Sequence, residues 1–296
     1  MSLADAQLTI ARERGFETWA RLKRHIEKPT LTDLSLPQHE RIEDVTFRCA
    51  VDLLDEGNVA GLSAWLLEHP NLVHQHVLVE RENYSRNPTL LEFVAENPVR
   101  HGTLPDNIVE VTRVILDAGA DHDRSALNQT LELVCSGRVP RECGVQRALI
   151  DLLCDRGADP NRAMSAALGH AEFEAANTLI ARGAQLDLTA AAGMGRIEDA
   201  RQLLAAASNE DRHRALALAS QFGHTGIVRL LLDAGEDPNR YNPAGFHAHS
   251  TPLHQAACGH EETVRLLVEH GARLDAKDTM WQATPAEWAK HEGQTK

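Results

Sequence analysis

The apolar positions of this chain fall in short helical stripes, and a glycine cuts off most of them. The recurring phrase is an apolar pair, two or three polar residues and Gly, often with Asp-Pro-Asn behind it. It occurs as VILDAGADHD at 114–123, DLLCDRGADPNR at 151–162, TLIARGAQLD at 178–187, RLLLDAGEDPNR at 229–240 and RLLVEHGARLDA at 265–276. A looser copy, SAWLLEHPNLV, occupies 63–73. Apolar residues at i, i+3 and i+4, such as Ile227, Leu230 and Leu231, make one stripe of a short helix. Gly119, Gly157, Gly183, Gly235 and Gly271 stand where a left-handed residue ends that helix. The Asp-Pro-Asn that follows cannot continue it and predicts a turn.

A second phrase precedes each of these: a short Ala-rich helix ending in Gly-His or a variant. Its clear copies are ALALASQFGH at 215–224 and TPLHQAACGH at 251–260. AMSAALGHAE at 163–172 and LTAAAGMGRI at 188–197 are degraded copies. Adjacent alanines let neighbouring helices approach closely. Thr251 is placed as an N-cap and Pro252 as the first helical residue.

TPLH, GHEETVRLLVEHGA and GADPN resemble the ankyrin repeat. The resemblance spans roughly residues 45–293, closest over 213–293, fair over 111–212 and weak over 45–110. It implies an all-α, ankyrin-type solenoid of stacked helix-turn-helix units with finger loops between them. It also implies an interaction scaffold rather than an enzyme, with no cofactor. Leu67, Ile115, Leu153, Ile180, Leu204, Leu231 and Leu267, taken as equivalent, are separated by 48, 38, 27, 24, 27 and 36 residues. The usual unit is about 33 residues. The early units therefore carry insertions, placed at 79–88, 96–107 and 136–144, and the middle ones are trimmed. The finger at 239–250 is long. A shortened first helix is expected after Thr251, and the helix before Ala205, Ala206 and Ala207 lacks a glycine stop.

Residues 42–296 then hold about seven units and a partial C-terminal one, ATPAEWAKHEGQTK, whose Trp288 should face the preceding unit. Residues 1–41 read as an N-terminal helical cap and a linker with Pro29 and Pro37. The opening LADAQLTIARERGFETWARLKRHIE also resembles a leader found in bacterial ankyrin-repeat proteins.

Composition narrows the function. Aromatic residues are 4% of the chain and the apolar set is mainly Ala and Leu, which suits packed helices and not a sandwich of strands. The formal charge of -13 repels phosphate backbones and favours a basic protein partner over nucleic acid. Cys49, Cys135, Cys143, Cys154 and Cys258 are odd in number and scattered, without a Cys-x-x-Cys pair. They read as reduced thiols of a cytoplasmic protein. No signal peptide is expected, because the opening Met-Ser-Leu-Ala-Asp lacks the basic, apolar, small-residue order of one, and no membrane span, because no apolar run approaches about 18 residues. A monomer is expected.

Three sites compete. Tyr84 and Tyr241, the only tyrosines, fall in fingers, as do Phe246 and Trp281, with Arg81, Arg86 and Arg240 beside them. Aromatic and Arg side chains are the favoured anchors of protein interfaces, so these seven are the candidate partner-binding residues. Against that stands fold-back of the fingers, which would bury the rings. A second reading gathers His247, His249, His254, Cys258 and His260 as zinc ligands, or Cys258 with His254 as a nucleophile pair. The ankyrin resemblance instead gives His254 and His260 structural roles. A third reading uses Arg12, Arg14, Arg21, Lys23, Arg24 and Lys28 to bind DNA through the N-terminal helices.

Overall fold

The computed structural model describes residues 38–78 and 87–294. The expected N-terminal helices, their basic residues, and the finger carrying Arg81, Tyr84 and Arg86 lie outside the described residues.

Among the described residues every regular element is helical. After a 3-10 turn at Gln38–Arg41 come α1 (Val45–Asp55) and α2 (Val59–Glu68). A 3-10 turn at Pro70–His74 leads to a 3-10 helix at Leu90–Ala95, which pairs with α3 (Ile108–Asp117). A further 3-10 turn, Ala120–His122, precedes α4 (Arg124–Ser136). Then follow α5 (Arg138–Glu142), α6 (Gln146–Asp155), α7 (Pro160–Gly169), α8 (Phe173–Ala181), α9 (Leu188–Gly193) and α10 (Ile197–Leu203). The last are α11 (Asn209–Gln221), α12 (Thr225–Asp233), α13 (Pro252–Ala256), α14 (Glu261–Glu269) and α15 (Pro285–His291).

None of these helices is long enough to persist alone in water. They stack in two layers. One layer runs α1, the Leu90–Ala95 turn, α4, α7, α9, α11, α13 and α15, each packed on the next. The second runs α2, α3, α6, α8, α10, α12 and α14. The first layer is close-packed because its inward positions are small: Ala163, Ala167, Ala190, Ala191, Ala215, Ala217, Ala219 and Ala256 are all buried. Gly119, Gly157, Gly183, Gly235 and Gly271 take φ of 101°, 93°, 101°, 92° and 87°, the left-handed turn that reverses the chain after α3, α6, α8, α12 and α14.

Three expectations need correction. Asp159-Pro160-Asn161 does not make a separate turn. Asp159 caps α7 by accepting from the Asn161 amide, and Pro160 is the first helical residue. A 27-residue step leaves no residues for a finger there. Leu67 is 81% exposed, while Leu66 fills the core position, so the spacing marker was one residue late. The 136–144 insertion folds part of itself into α5. As expected, α13 is only five residues long, and α10 ends without a glycine, with Leu204 at its C-cap.

The apolar core forms two clusters. They interleave in the first layer, where Ala190, Ala217 and Leu218 belong to one and Leu188, Ala215 and Leu216 to the other. In the second layer they separate between α8 and α10, and α10 buries only Ala200.

The 96–107 insertion is held by buried charge. The Arg100 side chain is fully buried and forks onto Asp55, with Nε 2.9 Å from Oδ2 and Nη2 2.8 Å from Oδ1. Glu96 Oε2 lies 3.0 Å from Nη2. Glu96 Oε1 accepts the amides of Arg100, His101 and Gly102 at 2.8, 2.6 and 2.7 Å. Arg100 also caps the face of Phe93. Removing one member of such a network strands the other charges away from water. Arg100→Ala is expected to lower unfolding free energy by about 3–5 kcal/mol. Arg265→Ala, which breaks an exposed pair with Glu261, should cost under about 1 kcal/mol. Urea titrations of both variants test this, and equal losses would show that the network carries no special stability.

Candidate functional site

The residues proposed from sequence end up in different situations. Phe246 is 5% exposed and joins the same apolar cluster as Leu168 and Leu218. The 239–250 finger folds back on itself to bury it, through Asn242 N–H to Ser250 O at 2.8 Å, Phe246 N–H to Pro243 O at 3.0 Å and Ser250 N–H to His247 O at 3.0 Å. A ring held in the core cannot anchor a partner, so Phe246 leaves the candidate set. Tyr241 is 44% exposed but tethered, its hydroxyl donating to Lys277 O at 2.6 Å and its carbonyl accepting from His213 Nε2 at 2.8 Å. It therefore ties one finger to the next. Arg240 stays exposed, at the 4.0 Å edge of pairing with Glu210. Trp281 is 64% exposed.

The histidine cluster does not converge on a metal. His254 Nδ1 accepts from Thr251, at 2.8 Å from Oγ1 and 3.2 Å from the amide, so its Nε2–H donates to Ala283 O at 3.1 Å. Both nitrogens are used in joining turn to turn. His260 Nε2 donates to Gln221 O at 2.9 Å, and His224 Nε2 makes the same link one unit earlier, to Gly193 O at 3.1 Å. Cys258 Sγ donates to the His254 carbonyl at 3.5 Å, away from the ring, and burial pushes the thiol up rather than toward thiolate. Among the described residues the group with ligand atoms mutually within 4.8 Å is His39, Asp55 and His101. There the Arg100 guanidinium already occupies both oxygens of Asp55, and a divalent cation would sit beside that fixed positive charge.

What the last finger does bring together is an aromatic cluster. His249, Trp281 and Trp288 have ring centroids 5.2, 5.6 and 5.9 Å apart, mostly edge to face. His254 lies 5.3 Å from Trp288 on the core side. The organiser is Asp278, which is fully buried. Its Oδ1 accepts the amides of Met280 and Trp281 at 2.9 and 2.6 Å, and its Oδ2 accepts the Ala283 amide at 2.9 Å and Trp288 Nε1–H at 3.1 Å. Burial raises the Asp278 carboxyl, but these four donors outweigh it and hold the pKa at about 2. A cavity of about 640 Å3 opens over the rings, lined also by His247, Glu287 and Glu292.

Sequence reasoning placed Trp288 against the preceding unit correctly and missed Asp278. The available signal was an Asp two and three residues ahead of exposed Met280 and Trp281, the spacing at which a carboxylate caps its own turn.

The depressed Asp278 pKa makes its contribution present above the unfolded carboxylate pKa and lost as pH falls from about 4 to about 2. The shift from 3.8 to about 2 corresponds to about 2 kcal/mol. Asp278→Asn should cost about that much at pH 7, and the indole fluorescence of the wild type should change in a step below pH 4 that the variant lacks. A variant as stable as the wild type would remove Asp278 as the organiser.

Ankyrin repeats (3 copies) match as a family over residues 188–278, the stretch in which α9 to α14 stack. Curated relatives align as well. The chain is 34% identical over 116 residues to cyclin-dependent kinase 4 inhibitor B of Bos taurus, covering 38% of this chain and 86% of that protein. It is 34% identical over 117 residues to the Homo sapiens protein of the same name, covering 38% and 81%. It is 35% identical over 112 residues to cyclin-dependent kinase inhibitor 2A of Homo sapiens, covering 36% and 69%. These relatives are mammalian, and the likeness to bacterial leaders rests on the opening residues alone. The helix pairs, the left-handed glycines and the alignments agree: the chain belongs to the ankyrin-repeat family.

Proposed function

We propose that the chain is a non-enzymatic protein-interaction scaffold that docks its partner on the finger loops and the concave face beside them. The observation that carries this reading is the apolar surface of the last two fingers. Tyr241, Leu274, Met280 and Trp281 are large, apolar or aromatic, and exposed at 44%, 64%, 63% and 64%. Side chains of this kind gathered on rigid loops are typical interface anchors. These loops are pinned locally, by the four donors on Asp278 and by the Tyr241 hydroxyl on Lys277 O, so they keep their positions without a partner, which lowers the ordering cost of binding.

The partner is more basic than acidic, because the chain carries a net charge of -13. The scaffold is a monomer and works in the cytoplasm. All five cysteines are unpaired, which suits a reducing compartment. The relatives' names make a cyclin-dependent kinase the first defined partner to assay, although the alignment spans 38% of this chain.

The test is affinity capture from lysate with the wild type and with a Tyr241→Ala, Met280→Ala, Trp281→Ala variant whose circular dichroism is unchanged, alongside direct titration with cyclin-dependent kinase 4. A protein bound by the wild type and weakened about thirtyfold or more in the variant, the loss expected from one anchor of about 2 kcal/mol, supports docking on the fingers. Retention by both would move the site to another face. No retained protein and no kinase binding would end the scaffold reading.

A further inference from the structure

The cavity over the last finger has the chemistry of a cation site. It is lined by the indoles of Trp281 and Trp288, the imidazoles of His247, His249 and His291, and the carboxylates of Glu287 and Glu292. Among the described residues no lysine or arginine lines it. Glu287 spends only Oε2 on its capping box, accepting from Thr284 N–H at 2.7 Å and Oγ1–H at 2.9 Å. Glu292 forms no side-chain ion pair among the described residues. A cavity of about 640 Å3 falls within the usual range for a binding site, roughly 300–1,000 Å3.

Rings alone would suit any apolar guest. Two carboxylates beside an aromatic wall, in a chain of charge -13, select a positive one. The ring quadrupole is negative on its face and attracts a cation placed over it. The site is also built before the guest arrives. Asp278 fixes Trp281 through its amide and Trp288 through its indole N–H, and Thr284 fixes the first turn of α15, which carries Glu287.

We propose that this pocket holds an arginine side chain of a basic partner protein, with the guanidinium laid on the Trp281 and Trp288 wall and hydrogen-bonded at its edge to Glu287 and Glu292. Arginine fits better than lysine. Its group is planar, stacks on indole, sheds water more readily than an ammonium and offers a fork of donors to carboxylates. The assignment rests on the scaffold reading and gives the partner's chemistry.

The test uses the full chain and three synthetic peptides, (Gly-Arg)6, (Gly-Lys)6 and the neutral isostere (Gly-citrulline)6, titrated by calorimetry and indole fluorescence. The arginine peptide should bind at least about fivefold tighter than the lysine peptide, and the citrulline peptide should not bind measurably. Trp281→Ala should weaken the arginine peptide about fivefold or more, removing its advantage over the lysine peptide. Trp281 is largely exposed, so its removal leaves the fold in place. Glu287→Gln with Glu292→Gln should weaken it similarly, while Gln at 287 preserves the capping box. Equal affinity for the arginine and lysine peptides, indifference to Trp281→Ala, or no binding of any peptide would each overturn the pocket. None of these results would touch the scaffold reading, which is decided by the capture of a folded protein on the fingers.

Discussion

A pair of ten-residue helices cannot cover its own apolar faces, so every unit of this protein depends on contact with the next. The alanines of the first layer set how close that contact is. With Ala190 and Ala191 in α9, Ala215, Ala217 and Ala219 in α11 and Ala256 in α13 all buried, helix backbones approach closely and leave no room for larger residues. The left-handed glycines return the chain to the same starting position after the pairs that end in α3, α6, α8, α12 and α14. The imidazole links from His224 to Gly193 and from His260 to Gln221 repeat that register with a directional bond. Close packing, chain reversal and hydrogen bonding thus repeat in phase, and that repetition defines a solenoid.

The regular apolar pattern is interrupted at two places among the described residues, and each is handled by buried polar chemistry. Near the start, Arg100 with Asp55 and Glu96 fills the space left by an irregular unit whose first helix is only a 3-10 turn. Near the end, Asp278 gathers four donors and turns the last finger into a rigid shelf for two indoles. Both carboxylate systems form where an insertion or an unpaired helix breaks the apolar pattern.

This also explains what the sequence made legible. The helix pairs were readable because apolar spacing and terminal glycines are local signals, and the five glycines predicted as left-handed are so. Thr251 and Pro252 were readable for the same reason. Phe246 was not, because its burial comes from a finger folding across another unit. A residue count could not distinguish that from an exposed loop. Asp159-Pro160-Asn161 was misread because the same tripeptide makes a turn when a finger follows and a helix start when none does. The histidines looked like a ligand set until their carbonyl partners, 29 to 39 residues away in sequence, were in view. Asp278 went unnoticed because a single acidic residue in a loop has no periodicity to reveal it.

The separation of the two apolar clusters between α8 and α10 has a mechanical meaning. In a stack with only nearest-neighbour coupling, cooperativity is as strong as its weakest joint. Here the second-layer helix α10 fully buries only Ala200, with Ile197 and Leu203 half-buried against the second cluster, while the first layer continues through fully buried alanines. The joint therefore behaves as a hinge of one-sided stiffness: it resists stretching along the alanine layer and yields on the opposite side, so the two halves of the array can change their mutual curvature without either one melting.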